Sequence, residues 1–213
     1  MSNYGNAFFS PESKKYPAET MPVWLDVKER KTAGGTFDIS GFPKGTKIAA
    51  GTPVRLDKMG GTAVILPTFV VVGAVSSAAT TLVLKPQAGI NPAKDMIVGK
   101  MTSAGVCAKA VALGVATPLT GDDAGKFQFT IVGNSLGELA DGDILVIASE
   151  AGSNKAAVLP NGLSWREVYV DSDNATLGTV AVVTKGQVLA DRIPAIPDLY
   201  KAAIPSITFE YEL

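Results

Sequence analysis

The feature that most restricts the fold of this chain is a side-chain period of two. In Phe127-Gln128-Phe129-Thr130-Ile131 every second residue is apolar. Successive side chains of a strand point to opposite faces, so this run lays Phe127, Phe129 and Ile131 on one buried face. The same period appears in Val54-Arg55-Leu56, in Thr81-Leu82-Val83-Leu84-Lys85, and in Ile207-Thr208-Phe209-Glu210-Tyr211-Glu212-Leu213. The one good helix candidate is 197–204, where Pro197 opens the element and Pro205 stops it. The expected fold class is therefore mainly β: small β-barrel or sandwich-like modules with one short C-terminal helix.

Turn residues divide these runs. With 22 glycines and 13 prolines in 213 residues, the elements between them are short. Lys58-Met59-Gly60-Gly61 separates Val54–Leu56 from Thr62–Leu66 and predicts a hairpin. Lys185-Gly186 predicts a second, between 178–183 and 184–189. Trp165–Val170 reads as a further strand. Met21–Val27 reads as a short extended segment, followed by polar connecting residues. The apolar run from Thr62 to Val83 is broken by Pro67, Gly73 and several hydroxyl residues, so it reads as strands and not as a membrane span.

A small or acidic turn followed by an apolar strand occurs three times. The segments are Ala50-Gly51-Thr52-Pro53-Val54, residues 92–99, and Ala140-Asp141-Gly142-Asp143-Ile144-Leu145. Small barrels use such turns between short strands. From this pattern a central β module over 76–150 is expected, inserted into a module built by 21–75 and 151–213. Residues 1–20 read as an extended arm in which Phe8, Phe9 and Tyr16 stand among polar residues without a period. They either anchor on a neighbouring subunit, or pack on their own domain or stay disordered. Trp24, just beyond the arm, joins them as a possible partner contact. Trp24 and Trp165 read as core or interface residues.

The residue inventory removes many chemistries. There is no histidine, so neither a Ser-His-Asp nor a Cys-His arrangement can form within the chain. Cys107, the single cysteine, sits among small and apolar neighbours and reads as an inert buried thiol. Gly34-Gly35 is followed by Thr36, which is no phosphate loop, and reads as loop geometry. Asp122-Asp123, Asp141 with Asp143, and Asp171 with Asp173 lie in turn-like segments where aspartate bonds to its own backbone. Asp171-Ser172-Asp173-Asn174 is the first choice among them for a cation. Asn174-Ala175-Thr176 fits a glycosylation pattern in form only, because no secretory signal is expected at the N-terminus. Nineteen basic and 20 acidic residues give a net charge of −1, with only short basic runs. Neither a nucleic acid nor a membrane is expected as partner. No catalytic residue, cofactor or metal is assigned, and the chain is expected not to be an enzyme.

Three segments carry a resemblance. Residues 45–57 (Gly-Thr-Lys-Ile-Ala-Ala-Gly-Thr-Pro-Val-Arg-Leu-Asp) resemble the opening segment of tailed-bacteriophage head decoration or head fiber proteins, the auxiliary capsid proteins. Residues 178–189 resemble their late hairpin, and residues 199–209 their closing helix and strand. Leu139–Leu145 is similar to a β module that larger members carry. The resemblance implies a structural virion protein, made in the bacterial host cytoplasm and placed on the outer capsid surface. It implies a homotrimer bound to the major capsid protein, with residues 1–25 suited to a contacting arm. The chain ends would then form a capsid-anchoring module and 76–150 a projecting one. Rival readings are a module binding a host-surface glycan, a carboxylate enzyme, and a tail or baseplate component. Exposed Trp or Tyr on the central module would mark the first, and two convergent acids in a cleft the second.

Overall fold

The computed structural model describes residues 23–38, 42, 45–57, 59, 61–131, 136–170 and 177–212. The chain opens with β1 (Trp24–Asp38), β2 (Lys47–Ile48), β3 (Pro53–Leu56) and β4 (Ala63–Ile65). Eight strands follow: β5 (Phe69–Val71), β6 (Thr81–Pro86), β7 (Ile97–Ser103), β8 (Val106–Ala112), β9 (Thr117–Pro118), β10 (Phe127–Thr130), β11 (Ile144–Ile147) and β12 (Gly152–Ala156). The last part holds β13 (Gly162–Ser164), β14 (Val168–Tyr169), β15 (Leu177–Leu189), helix α1 (Asp198–Ala203) and β16 (Ile207–Glu210). The protein is mainly β, with antiparallel sheets and one short helix near the C-terminus.

Two large sheets divide the sequence. One contains β5 to β12, in the order β12-β8-β7-β11-β5-β6-β10-β9. It is therefore built from the single stretch 69–156. The other runs β1-β15-β13-β3-β4, with β16 added parallel to β15, and so draws on both chain ends. This second sheet turns back on itself. Thr36 of β1 bridges Thr62 just before β4, and its amide donates to the Gly61 carbonyl at 2.9 Å. Phe37, Ile48, Val54, Leu56, Ile65, Val180 and Val182 fill the interior so enclosed. A minor ladder joins β2 to β14.

The eight-stranded sheet wraps its own core of Phe69, Val71, Leu82, Leu84, Val98, Phe129 and Leu145. A third cluster joins the sheets. Met101, Cys107, Ala110 and Val146 from the eight-stranded sheet pack with Leu163, Val188, Tyr200, Ile204 and Ile207 from the other part. In β11, Leu145 faces the first of these cores and Val146 the second. Burial on both faces explains why Ile144-Leu145-Val146-Ile147 is an unbroken apolar run and not an alternating one.

The Ala49–Val54 turn owes its sequence to local geometry. Gly51 has φ +78°, and a Cβ there would stand 2.2 Å from the Ile193 side chain. The Thr52 hydroxyl donates to the Ala49 carbonyl at 2.7 Å, and buried Ser164 donates to the same carbonyl at 2.9 Å. The Thr52 amide in turn donates to the Ser164 hydroxyl at 3.0 Å. Each buried polar group thus has a partner, and the turn is pinned to β13.

Several expectations match this architecture. The hairpin about Gly61 exists, with Val54 opposite Ile65 and Leu56 opposite Ala63. Leu82 and Leu84 share a buried face, as do Phe129 and Ile131. Helix α1 is preceded by Pro197. Others need correction. No hairpin forms at Lys185-Gly186: β15 runs straight through it. Glycine is needed there for a different reason, because a Cβ on Gly186 would meet the Asp26 carbonyl of β1 at 2.4 Å. The polar residues after Val27 are not a connection but the body of the long strand β1. Gly34-Gly35 lies inside that strand, at an irregularity of its pairing with β15. Trp165–Val170 contributes only the two-residue β14.

Candidate functional site

Strand β15 is the spine on which the candidate site is assembled. It pairs with β1 along one edge and with β13 and β16 along the other. Arg30 of β1 and Leu163 of β13 both stand opposite Val183. Trp165, next after β13, donates its amide to the Ala181 carbonyl at 2.9 Å. The ladder thus places Arg30 and Trp165, distant in sequence, over the same short piece of β15.

Side chains close the arrangement. The Trp24 indole N–H donates to the Trp165 carbonyl at 3.0 Å. The guanidinium carbon of Arg30 lies 3.5 Å from the Trp165 ring centre, and that of Arg166 lies 3.8 Å from it. Stacking of this kind is worth roughly 0.5–1 kcal/mol per contact where solvent is near. It orders two long side chains by their faces, and no carboxylate among the described residues pairs with their in-plane N–H groups. Residues 24–28, Arg30 and Trp165 line an open cleft of about 620 Å³. Leu25 is about half exposed beside it, and Asp26 and Lys28 form a loose pair at 3.8 Å.

The free edge of β1 is not suited to receiving another strand. Its pairing with β15 shifts register between Trp24 and Asp26, between Val27 and Glu29, and between Glu29 and Arg30. Charged residues Asp26, Lys28, Glu29, Arg30 and Lys31 follow one another along it. Bulges and edge charges are the usual devices against strand addition. What this face presents for recognition is side chains.

Asp123, Asp141 and Asp143 are engaged in hydrogen bonds or ion pairs. Asp123 pairs with Lys126 at 2.6 Å. Asp141 accepts from the Gly73 amide at 2.7 Å. Asp143 accepts from the Ala140 amide at 2.8 Å and from Lys100 at 2.6 Å. Asp171, Ser172, Asp173 and Asn174 lie outside the described residues. Among the described residues no three His, Cys, Asp or Glu side chains gather as a metal site. Cys107 is buried, and desolvation raises its pKa above the ordinary thiol value. Tyr200 is fully buried in the junction between the sheets, where its hydroxyl donates to the Val158 carbonyl at 2.8 Å. Burial also raises its pKa, with a smaller contribution from nearby Cys107.

Of the four residues expected to contact a partner, Trp24 lies in this cleft, while Phe8, Phe9 and Tyr16 lie outside the described residues. Arg30 and Arg166 were not singled out by the sequence. Nothing along the chain links residue 30 to residue 165, and only the shared neighbour β15 brings them together. No family model, curated protein or solved structure matches the chain.

Proposed function

We propose that this chain is a non-enzymatic structural protein that binds another protein, and that it does so as an auxiliary protein on the outer surface of a tailed-phage capsid. The observation that carries the binding role is the open cleft lined by Trp24, Arg30 and Trp165, with Arg166 stacked on the Trp165 ring. Tryptophan and arginine are the residue types most enriched at the energetic centres of protein interfaces. Of the acids that a carboxylate enzyme would draw on, Asp123, Asp141 and Asp143 are bonded to lysines or backbone amides.

The capsid placement rests on the resemblance of residues 45–57, 178–189 and 199–209 to head decoration and head fiber proteins. In this reading the sheet built from the chain ends anchors, and residues 69–156 project. The anchoring partner is the major capsid protein, and three copies act together, so that weak contacts gain by avidity. The stretch 69–156 contains no Trp and no Tyr. A glycan platform made by stacking on such rings has no place there, which favours the structural reading over a host-glycan module.

Cosedimentation with purified empty capsid shells of the producing phage tests the proposal. Saturable binding at a fixed number of copies per shell is expected. A protein that stays monomeric in solution and remains in the supernatant would overturn it.

A further inference from the structure

The approach of β13 to β3 is held by a side chain as well as by backbone. The Asn161 carboxamide, one residue before β13, accepts from the Leu56 amide at 2.8 Å and donates to the Leu56 carbonyl at 2.8 Å. The Asn161 backbone amide donates to the Val54 carbonyl at 3.0 Å. The side chain thus does for Leu56 what a further strand residue would do, and only a carboxamide sets one donor and one acceptor side by side. Gly162 is constrained as tightly. It is buried, and a Cβ there would stand 2.5 Å from the Val182 side chain and 2.6 Å from the Val183 carbonyl. Bonding to β3 requires the asparagine and close packing on β15 requires the glycine. The fold therefore demands Asn-Gly here, a pair that occurs nowhere else in the chain.

Asn-Gly is the most reactive setting for an asparagine, because glycine leaves the following amide unshielded. We propose that Asn161-Gly162 is a deamidation site gated by the fold, closed while Asn161 is bonded to Leu56 and open when β13 leaves β3. In the reaction the Gly162 backbone nitrogen gives up its proton and attacks Asn161 Cγ. The new N–C bond closes a succinimide ring. The bond from Cγ to the side-chain nitrogen breaks, and ammonia leaves with that proton. Water then opens the ring at either carbonyl, giving an aspartyl or an isoaspartyl linkage. The net change is amide plus water to carboxylic acid plus ammonia, with no oxidant and no cofactor.

Asn161 is exposed, so water reaches it. What withholds reaction is geometry: Cγ must fold back onto the Gly162 nitrogen, and the two bonds to Leu56 oppose that. Either product fits the fold poorly. An aspartate still accepts from the Leu56 amide but sets a negative oxygen against the Leu56 carbonyl. An isoaspartate adds a backbone methylene beside a glycine that has no spare room. The reaction records the opening of β13 and blocks its return.

The test ages the full chain at mildly alkaline pH, once folded and once in urea. Trypsin then releases 156–166, bounded by Lys155 and Arg166. Mass spectrometry reads its conversion, and enzymatic methylation scores isoaspartate. The folded protein should convert at least about tenfold more slowly, the factor that one or two hydrogen bonds supply. After refolding from aged urea, converted peptide should gather in the protease-sensitive fraction. Asn161→Asp should lower the urea midpoint at neutral pH. That deficit should shrink below about pH 4, where the protonated acid can again donate to Leu56. Equal conversion in the two states overturns the gate, as does no conversion in urea. Converted molecules that refold as fully as the rest overturn the block on return, as does an Asn161→Asp variant with an unchanged midpoint.

Discussion

The two large sheets differ in how sequence supplies them and in what they expose. Residues 69–156 form one continuous stretch, make an eight-stranded sheet and contain no Trp or Tyr. The other sheet is assembled from both chain ends, and the described parts flanking 69–156 hold Trp24, Trp165, Tyr169, Tyr200 and Tyr211. Large rings with a polar tip serve equally in cores and at wet interfaces. Tyr200 lies in the buried junction, bonding Val158, whereas Trp24 and Trp165 line an open cleft. One part fills its core with aliphatic and phenylalanine side chains, and the other carries the described tryptophans and tyrosines, two of them beside open solvent.

That contrast can be broken most forcefully through the cores. Phe129→Ala should cost about 3–5 kcal/mol, the usual range for emptying a buried aromatic site. The third cluster ties the sheets together, so unfolding in urea should be one transition. Tryptophan fluorescence reports only the chain-end part, while circular dichroism reports both. Coincident curves support coupling, and separate curves would make the sheets independent.

A smaller effect, about 2–3 kcal/mol, is expected for Gly34→Ala. Gly34 has φ +59°, and an added Cβ would overlap the Val180 carbonyl of β15. Reduced thermal stability with fraying of β1 in hydrogen exchange is the check. Tyr200→Phe should cost about 0.5–1.5 kcal/mol, the net worth of one hydrogen bond, since the half-buried Val158 loses the donor to its carbonyl. The melting temperature of the variant measures it.

Alkaline pH acts on the same junction. Burial raises the pKa of Cys107 above its ordinary 9.0 and that of Tyr200 above its ordinary 10.0. In the unfolded chain both groups lose their protons earlier. Their contribution to stability is therefore complete below about pH 9 and declines as pH climbs past those ordinary values. Urea midpoints measured upward from neutrality should fall in that window, and Tyr200→Phe should flatten the fall. The least stability change, under about 1 kcal/mol, is expected for Arg166→Ala, whose stacking partner is half-exposed. A large loss there would make the cleft a structural element instead of a contact.

Legibility of the fold followed burial. Val54 and Leu56, Leu82 and Leu84, and Phe129 and Ile131 alternate because one face of their strands is dry, and a period of two reports that directly. Pro197 and Pro205 bracket α1 by their own geometry. Strand β1 was hidden because Lys28-Glu29-Arg30-Lys31 lies on a sheet edge, where solvent removes the alternation. Gly186 misled because a glycine needed for close backbone approach looks the same in sequence as one needed for a turn. At the cleft, aromatic character pointed to Trp24 and Trp165. The roles of Arg30 and Arg166 depend on a ladder between distant segments and had no local sign.

Electron cryomicroscopy of mature particles from the producing host tests the central claim most directly. Density for this chain is expected on the outer capsid surface, with Trp24, Arg30, Trp165 and Arg166 against the shell and residues 69–156 pointing outward. Particles that lack the chain, or that carry it with the Trp165 cleft facing solvent, would contradict it.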